Sequence, residues 1–377
     1  MMAERTLRVG LIGFGAIGKV HACSITNLPF YYKDCGFKVK VTHVCTSRME
    51  TAQAAAAQLG SDVIPVTDFH SITENPQIDI VDIALPNDGH FAVLESAIRN
   101  QKHIYCEKPL VATAEEAEKI AVLLPGYKGI SQMVLQYRFA LPVIRAKEII
   151  ESGKLGNLLE FRAHFLHAGS ARPETVIKPW KLQGGVIADL GSHTLDLIRF
   201  LLGDFDSLAA TRRTAYPTRP DGQGGTVSVP TEDNMMVLLR LKNGGVDGMV
   251  GSSKLTTGAE DDLRFEINGS DGAIRYSGMD PHHLYFYDNT LSDKPFGGFK
   301  GWTAIDCGQR YESPASGFPA AKSAIGWLRT HIHSYWNFAS HVAAGEKSSP
   351  DLWDGVYLQK ILSAVVEAAD TGTRVTV

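Results

Sequence analysis

The segment Gly13-Phe14-Gly15-Ala16-Ile17-Gly18 constrains this chain more than any other. It follows an apolar run, Leu7 to Ile12, that reads as a buried strand, and it opens a helical pattern from Ala16 to Asn27. In that setting each glycine has a task. Gly13 permits a tight turn, Gly15 lets backbone approach a pyrophosphate, and Gly18 lets the helix pack on the strand. The helix N-terminus then offers free N–H groups and a positive dipole end to the phosphates. The competing reading, a glycine-rich turn without a ligand, does not need the strand before it and the helix after it.

The alternation continues. Val39 to Cys45, Ile78 to Leu85 and His103 to Cys106 read as strands; Met49 to Leu59, His90 to Asn100 and Ala114 to Leu124 read as helices. This β-α-β-α succession predicts an N-terminal Rossmann fold, a doubly wound parallel sheet with helices on both faces. The pattern changes near Ser131 to Tyr137. After a helix at Pro142 to Ser152 come alternating segments at Asn157–Ala168, Met235–Leu241, Val246–Leu255, Leu263–Asn268 and Ala273–Tyr276. Turn signals at Asn243-Gly244-Gly245 and Ser270-Asp271-Gly272 make some of them hairpins, so a large, mostly antiparallel sheet is expected. Helices are expected at Val186–Leu202 and Leu352–Asp370, and a mobile Pro- and Gly-rich loop from Tyr216 to Pro230. At roughly 150 residues per domain, 377 residues predict two, here 1–135 and 136–377.

Charge and composition exclude several classes. Lys plus Arg is 37 against 41 Asp plus Glu, a net charge of −4, which supplies no basic field for nucleic acid. No window holds about 18 uninterrupted apolar residues, so no membrane span is expected. The start, with Glu4, Arg5 and Arg8, runs into a strand and does not read as a signal peptide; a cytoplasmic protein is expected. Five widely spaced cysteines without a CxxC read as reduced thiols. His331-x-His333 and His282-His283 have no matching carboxylate or cysteine cluster, and no metal site is expected.

Several further groups bear on chemistry. Where an NAD-binding chain carries an acid for the ribose hydroxyls, this one has Cys45-Thr46-Ser47-Arg48, with Thr46 near the acid's position. Ser47 can donate to a 2′-phosphate and Arg48 can pair with it or stack on adenine, which leans the cofactor from NAD toward NADP; the alternative is that Arg48 is a solvated residue at a helix start. Pro86-Asn87-Asp88-Gly89-His90 lies at the end of a parallel strand, where ligands bind in such sheets. Asn87 is a candidate for the nicotinamide ribose, and His90 either joins it or caps the next helix. Glu107-Lys108-Pro109 ends the following strand on the same edge, and a lysine there can donate to a substrate oxygen. In Gly184-Gly185-Val186-Ile187-Ala188-Asp189-Leu190-Gly191-Ser192-His193-Thr194-Leu195-Asp196, Asp189 and His193 are four apart and share a helix face. A local ion pair on a solvated helix is the bland alternative. Arg162 and His164 on one strand face, and Trp180, are candidates for a substrate pocket; sheet packing and loop anchoring are equally open for them.

Taken together, GFGAIG, the EKP at Glu107 to Pro109 and GGVIADLGSHTLD at Gly184 to Asp196 resemble the Gfo/Idh/MocA oxidoreductases in order and spacing. The resemblance covers nearly the whole chain, including Asp354-Gly355 and Gln359 in the final helix. It departs mildly: Gln183-Gly184-Gly185 has two glycines rather than three, and Ile187 stands for the common Leu. The resemblance implies a Rossmann domain followed by a substrate-binding and oligomerisation α/β domain whose large sheet often forms the interface, hence a homodimer or homotetramer. It implies that Lys108 is the EKP lysine, that the Lys108–Pro109 peptide is cis, and that Asp189 and His193 are the family's acid and histidine. The expected reaction is hydride transfer between a nicotinamide and a secondary alcohol or lactol carbon of a sugar or cyclitol. His193 is the expected base and Lys108 the holder of the oxygen, with an exchange of these roles open. A redox-neutral, NAD-dependent glycosidase and a non-catalytic dinucleotide-binding sensor are the alternatives on this fold.

Overall fold

The structure, a computed structural model, describes residues 5–33, 35–177, 179–182 and 184–377; of Pro179 and Trp180 only the main chain is described. The chain divides into two compact units. The first holds 1–139 with 311–321 and 326–359; the second holds 140–310 with 322–325 and 360–377. The N-terminal run therefore ends four residues beyond the division expected at 135, and a C-terminal segment groups with it.

In the first unit, β1 (Arg5–Ile12), α1 (Ala16–Tyr31), β2 (Phe37–Cys45), α2 (Met49–Leu59), β3 (Ile64–Val66), α3 (His70–Thr73), β4 (Ile80–Ile83), α4 (His90–Arg99), β5 (His103–Glu107), α5 (Ala114–Leu123) and β6 (Ser131–Val134) follow in order. The strands form one sheet in the order β3-β2-β1-β4-β5-β6, and every pairing is parallel. The order reverses between β1 and β4, which creates a ligand crevice at their C-terminal ends. Leu7, Val9, Leu11, Ile80, Val81, Ile83 and Ile104 are fully buried, as strands covered on both faces require. The Thr113 hydroxyl and the Glu116 carboxylate close a capping box at the start of α5. Neither β3 nor β6 was anticipated. Three or four residues are too few to show a period, and neighbouring strands recruit them by hydrogen bonding.

The second unit opens with α6 (Leu141–Glu151) and β7 (Leu158–Leu166), then α7 (Ser192–Leu202) and β8 (Phe205–Arg213). There follow β9 (Thr218–Pro220), β10 (Thr226–Ser228), β11 (Asn234–Leu241), β12 (Asp247–Ser253), β13 (Asp262–Gly269), β14 (Gly272–Ser277), β15 (His283–Asp288) and β16 (Trp302–Asp306). Among the described residues, nine strands make one sheet, β16-β15-β14-β13-β7-β12-β11-β8-β17, where β17 is Val375–Thr376. Only β7 with β12 is parallel. The segment expected to be a mobile loop is instead partly ordered: β9 and β10 pair antiparallel. Arg219 there is buried, and its guanidinium donates to the Ser170 and Arg172 carbonyls and faces Asp233 at 3.5 Å. A buried guanidinium with three acceptors fixes the ribbon, which proline and glycine content alone could not reveal.

α8 (Trp327–Ala344) packs in the first unit, and α9 (Leu352–Thr371) begins there and continues into the second. Among the described residues, no helix is long and apolar enough to cross a membrane.

Candidate active site

The turn between β1 and α1 is a cradle. Gly13 has φ +98°, and a Cβ there would lie 2.3 Å from the Ala84 carbonyl oxygen just past β4. A Cβ on Gly18 would lie 2.3 Å from the carbonyl oxygen of Gly13, so helix and turn are in backbone contact. Gly15 differs: a Cβ there would meet nothing within 4 Å. It is exposed with Ala16, and Phe14 and Ile17 flank it half-buried. α1 starts without a side-chain cap and without an acidic residue in its first turn. Bare main chain beside uncapped N–H groups is what a pyrophosphate needs.

At the end of β2, the Thr46 hydroxyl is taken up locally, bonding the Arg48 carbonyl at 2.9 Å and the Thr51 hydroxyl at 2.6 Å. Ser47 and Arg48 are exposed, and Arg48 makes no ion pair among the described residues. It stands at the N-cap of α2 in an extended conformation. Pro86 precedes a short 3-10 turn, 87–89, on which Asn87 is half-buried. His90 does not cap the helix: it is the first residue of α4, whose N-cap is Gly89, and its ring is fully buried, with Nδ1 3.0 Å from the Pro109 carbonyl and Nε2 3.0 Å from the Leu85 carbonyl. Its ring fastens the loops after β4 and β5 to each other.

The loop after β5 carries Lys108, half-buried, and its peptide to Pro109 is cis. Glu107, which ends β5 on the same edge, is turned inward. One carboxylate oxygen accepts from the Lys108 main-chain N–H at 3.0 Å, and the other faces His21 Nε2 at 3.2 Å. His21 Nδ1 lies 2.6 Å from Asp82. Burial alone would depress His21, but the charge and hydrogen bond of Asp82, with those of Glu107, push it up to about 10. Burial would raise Glu107, yet the His21 hydrogen bond and charge, with the charge of Lys108, hold it below its usual value. His21 and Asp82 escaped the sequence reading because nothing local marks a histidine inside a helix as a partner of two later strands.

In the second unit, the Asp189 segment is not a regular α-helix. Ile187–Gly191 is a π turn leading directly into α7. The wider i→i+5 turn is the kind of irregularity that gathers at functional sites. Glu232 holds its start: the Val186 N–H donates to the Glu232 carbonyl at 2.9 Å and the Ile187 N–H to its carboxylate at 2.9 Å. A Cβ on Gly185 would fall 2.1 Å from that carboxylate, which explains this glycine of the motif without a ligand. Asp189 lies 2.9 Å from the ammonium of Lys254, a buried lysine just past β12. His193 is buried one turn on, 6.0 Å from the Phe165 ring, and Asp196 is buried beyond it. The Thr194 hydroxyl ties α7 to Ser252 of β12 at 3.1 Å. Lys254 and Glu232 are site residues the sequence reading missed; a lone Lys after a strand and a lone Glu in a loop carry no local signature.

Arg162 and His164 do not stand on the face expected for a substrate pocket. Phe161, Ala163 and Phe165 of β7 face the covered side of the sheet, where Phe165 meets His193. Arg162 and His164 point to the opposite, open side, beside Met249 and Gly251 of β12. Strand side chains alternate with a period of two, so these residues cannot line a pocket with Asp189 and His193. The side chain of Trp180 lies outside the described residues, as do Lys178 and Gln183. On α8 in the first unit His331 is buried and His333 half-buried, and among the described residues no group of His, Cys, Asp and Glu could hold a metal ion.

A parallel sheet in this strand order, with this cradle at its switch point, defines a dinucleotide-binding Rossmann enzyme. Comparison with known proteins agrees. The model of the oxidoreductase family with an NAD-binding Rossmann fold matches residues 7–133, and that of the Gfo/Idh/MocA C-terminal domain matches 143–275. The chain belongs to the Gfo/Idh/MocA oxidoreductase family. It is similar to levoglucosan dehydrogenase of Pseudarthrobacter phenanthrenivorans, 29% identical over 97% of this chain and 96% of that protein. It is also similar to D-glucoside 3-dehydrogenase of Escherichia coli, 25% identical over 99% and 98%. A solved levoglucosan dehydrogenase in complex with NADH and levoglucosan superposes with a TM-score of 0.92, 29% identical, over 99% of this chain and 100% of that one.

Proposed function

We propose that this chain oxidises a secondary alcohol, or a lactol carbon, on a sugar or cyclitol with NAD(P) as acceptor. The observation that carries the reading is the open Gly15 cradle at the uncapped start of α1 in a chain that also carries the Asp189–His193 turn. The cradle fits a dinucleotide, with Gly13 to Gly18 holding the pyrophosphate and Asn87 the nicotinamide ribose. When bound, the nicotinamide supplies the two-electron acceptor for the substrate carbon. His193 accepts the hydroxyl proton, because an imidazole titrates near neutrality. Lys108 donates to a substrate oxygen and steadies developing alkoxide charge. Asp189 orients a neighbouring hydroxyl and is itself oriented by Lys254. Relatives that act on levoglucosan and D-glucosides support a pyranose-sized substrate.

The test is a panel of levoglucosan, D-glucosides and myo-inositol with NAD⁺ or NADP⁺, followed at 340 nm. Net reduced cofactor with at least one of them is expected. Aglycone release without net reduction would make the protein a redox-neutral glycosidase. Binding of the cofactor with no turnover across the panel would make it a sensor.

The open Arg48 guanidinium, with no carboxylate at Thr46, favours a 2′-phosphate. Arg48→Ala is expected to weaken NADPH by about tenfold, one charge-assisted contact, and NADH by less than about twofold. Fluorescence titration of both cofactors checks this, and equal losses would remove the contact. The chain also forms a homo-oligomer through the open face of its large sheet. There Met236, Leu238 and Met249 are 63%, 54% and 45% exposed side by side, a neighbourhood that a lone soluble subunit rarely leaves uncovered. Leu238→Asp is expected to lower the sedimenting mass, and a wild-type monomer at micromolar concentration would refute the reading.

A further inference from the structure

We propose that His21 is a positioning residue for Lys108: clasped between Asp82 and Glu107 beneath the phosphate turn, it locks the end of β5 to α1 and so sets where Lys108 stands. The inference rests on the reading of Lys108 as a catalytic group. The three members come from α1, β4 and β5, the elements whose ends build the dinucleotide crevice. His21 is 1% exposed and Asp82 is 0% exposed, so water does not mediate the contacts. Each ring nitrogen faces a carboxylate oxygen, at 2.6 and 3.2 Å. Ionised carboxylates only accept, and a neutral imidazole has one N–H, so both bonds require the imidazolium. Glu107 then uses its second oxygen on the Lys108 N–H at 3.0 Å. The clasp ends on the main chain of the lysine.

The surroundings explain why a charged device sits here. Tyr105 of β5 meets the His21 ring edge-on at 5.2 Å, and its hydroxyl shares a hydrogen bond with that of Ser334 of α8 at 2.9 Å. His331 and Tyr335 of α8 complete the buried shell, and burial drives His331 down to about 3, so it is neutral. Among the described residues, Oδ2 of Asp82 and both nitrogens of His331 are buried without a hydrogen bond. Buried ions and orphaned polar atoms cost stability that an apolar filling would spare, and they persist where geometry or charge serves a function. Two carboxylates against one imidazolium leave a net negative charge next to the Lys108 ammonium. The clasp thereby holds the lysine by electrostatics as well as by its main chain.

The test uses His21→Gln, Glu107→Gln and the double variant in the full chain. His21→Gln is expected to lower kcat by about 10- to 100-fold, since small misplacements of a catalytic group cost this much, with the sugar KM and the NADH Kd within about threefold. The double variant is expected to be no slower than the slower single one, and His21→Gln is expected to add nothing to Lys108→Ala, because residues acting as one unit are not additive. A kcat within about twofold of wild type in His21→Gln, or losses that multiply, would overturn the inference. Should the variants not fold, ¹⁵N spectra of the wild-type histidines at about pH 8.5, well above the ordinary histidine range, decide. There, His21 is expected to carry protons on both nitrogens, and a neutral ring overturns the clasp. Lost turnover in Lys108→Ala beside full turnover in His21→Gln sinks this inference alone, whereas full turnover in Lys108→Ala sinks the reading beneath it.

Discussion

Lys108→Ala and His193→Ala each lower kcat by about 10²- to 10³-fold while the Kd for NADH stays within about threefold. The size follows from what each group supplies. A positioned proton acceptor is worth about 10²- to 10⁴-fold, and a donor aimed at developing oxyanion charge is worth a similar amount. The specificity follows from location. The pyrophosphate cradle is built from main chain at Gly13 to Gly18, and neither side chain belongs to it. Single-turnover rates at 340 nm, with NADH titrated separately by fluorescence, separate the two effects. Lys108→Arg keeps the charge but not the compact ammonium, and is expected to recover little. Full turnover in both alanine variants would remove the assigned chemistry from this chain.

Gly15→Val weakens NADH and NADPH binding by at least about 30-fold, near 2 kcal/mol, with Tm within a few degrees of wild type. A Cβ at Gly15 meets no protein atom within 4 Å, so the folded chain has room for it. The space it fills is where the phosphates must approach bare backbone. Gly13→Ala is the contrasting case. Its φ of +98° and the 2.3 Å approach to Ala84 strain the fold itself, so Tm falls together with affinity. Thermal melts beside cofactor titrations tell the two glycines apart. A Gly15→Val protein that binds NADH as wild type does would show that the cradle holds no pyrophosphate.

The Rossmann half was legible because its signals are local. Buried parallel strands are short apolar runs, and α2 was read to the residue, since an Ala-rich stretch between an extended Arg48 and Gly60 has few alternatives. α8 was missed although its stripe was present: Ile332, Tyr335, Phe338, Ala339 and Val342 recur at helical spacing and are buried. Its many aromatic and histidine residues have weak helical propensity, and tertiary packing overrode that. The strand β8, Phe205–Arg213, shows no clean alternation because its start is covered, its middle half-buried and its end exposed.

The candidate site divided in the same way. Gly13, Gly15, Gly18, Asp189 and His193 could be named from spacing, since phosphate turns and i,i+4 pairs are properties of one short segment. His90 could be named but not assigned, because the carbonyls of Pro109 and Leu110, 19 and 20 residues downstream, and that of Leu85 across its own loop decide what its ring does. The face carrying Arg162 and His164 was visible as alternation, yet which side the helices cover is a property of the assembled sheet.

Sequence alone determined the parallel nucleotide-binding sheet, its glycine turn and the acid–histidine segment, because short-range sterics and hydrogen-bond periods dictate them. Only the tertiary structure decided that Asp189 pairs with Lys254, that Glu232 closes the π turn, and that Asp82 and Glu107 grip His21. Those are contacts between single residues 45 or more positions apart, and the free energy that selects them comes from burial and charge pairing, which have no period along the chain.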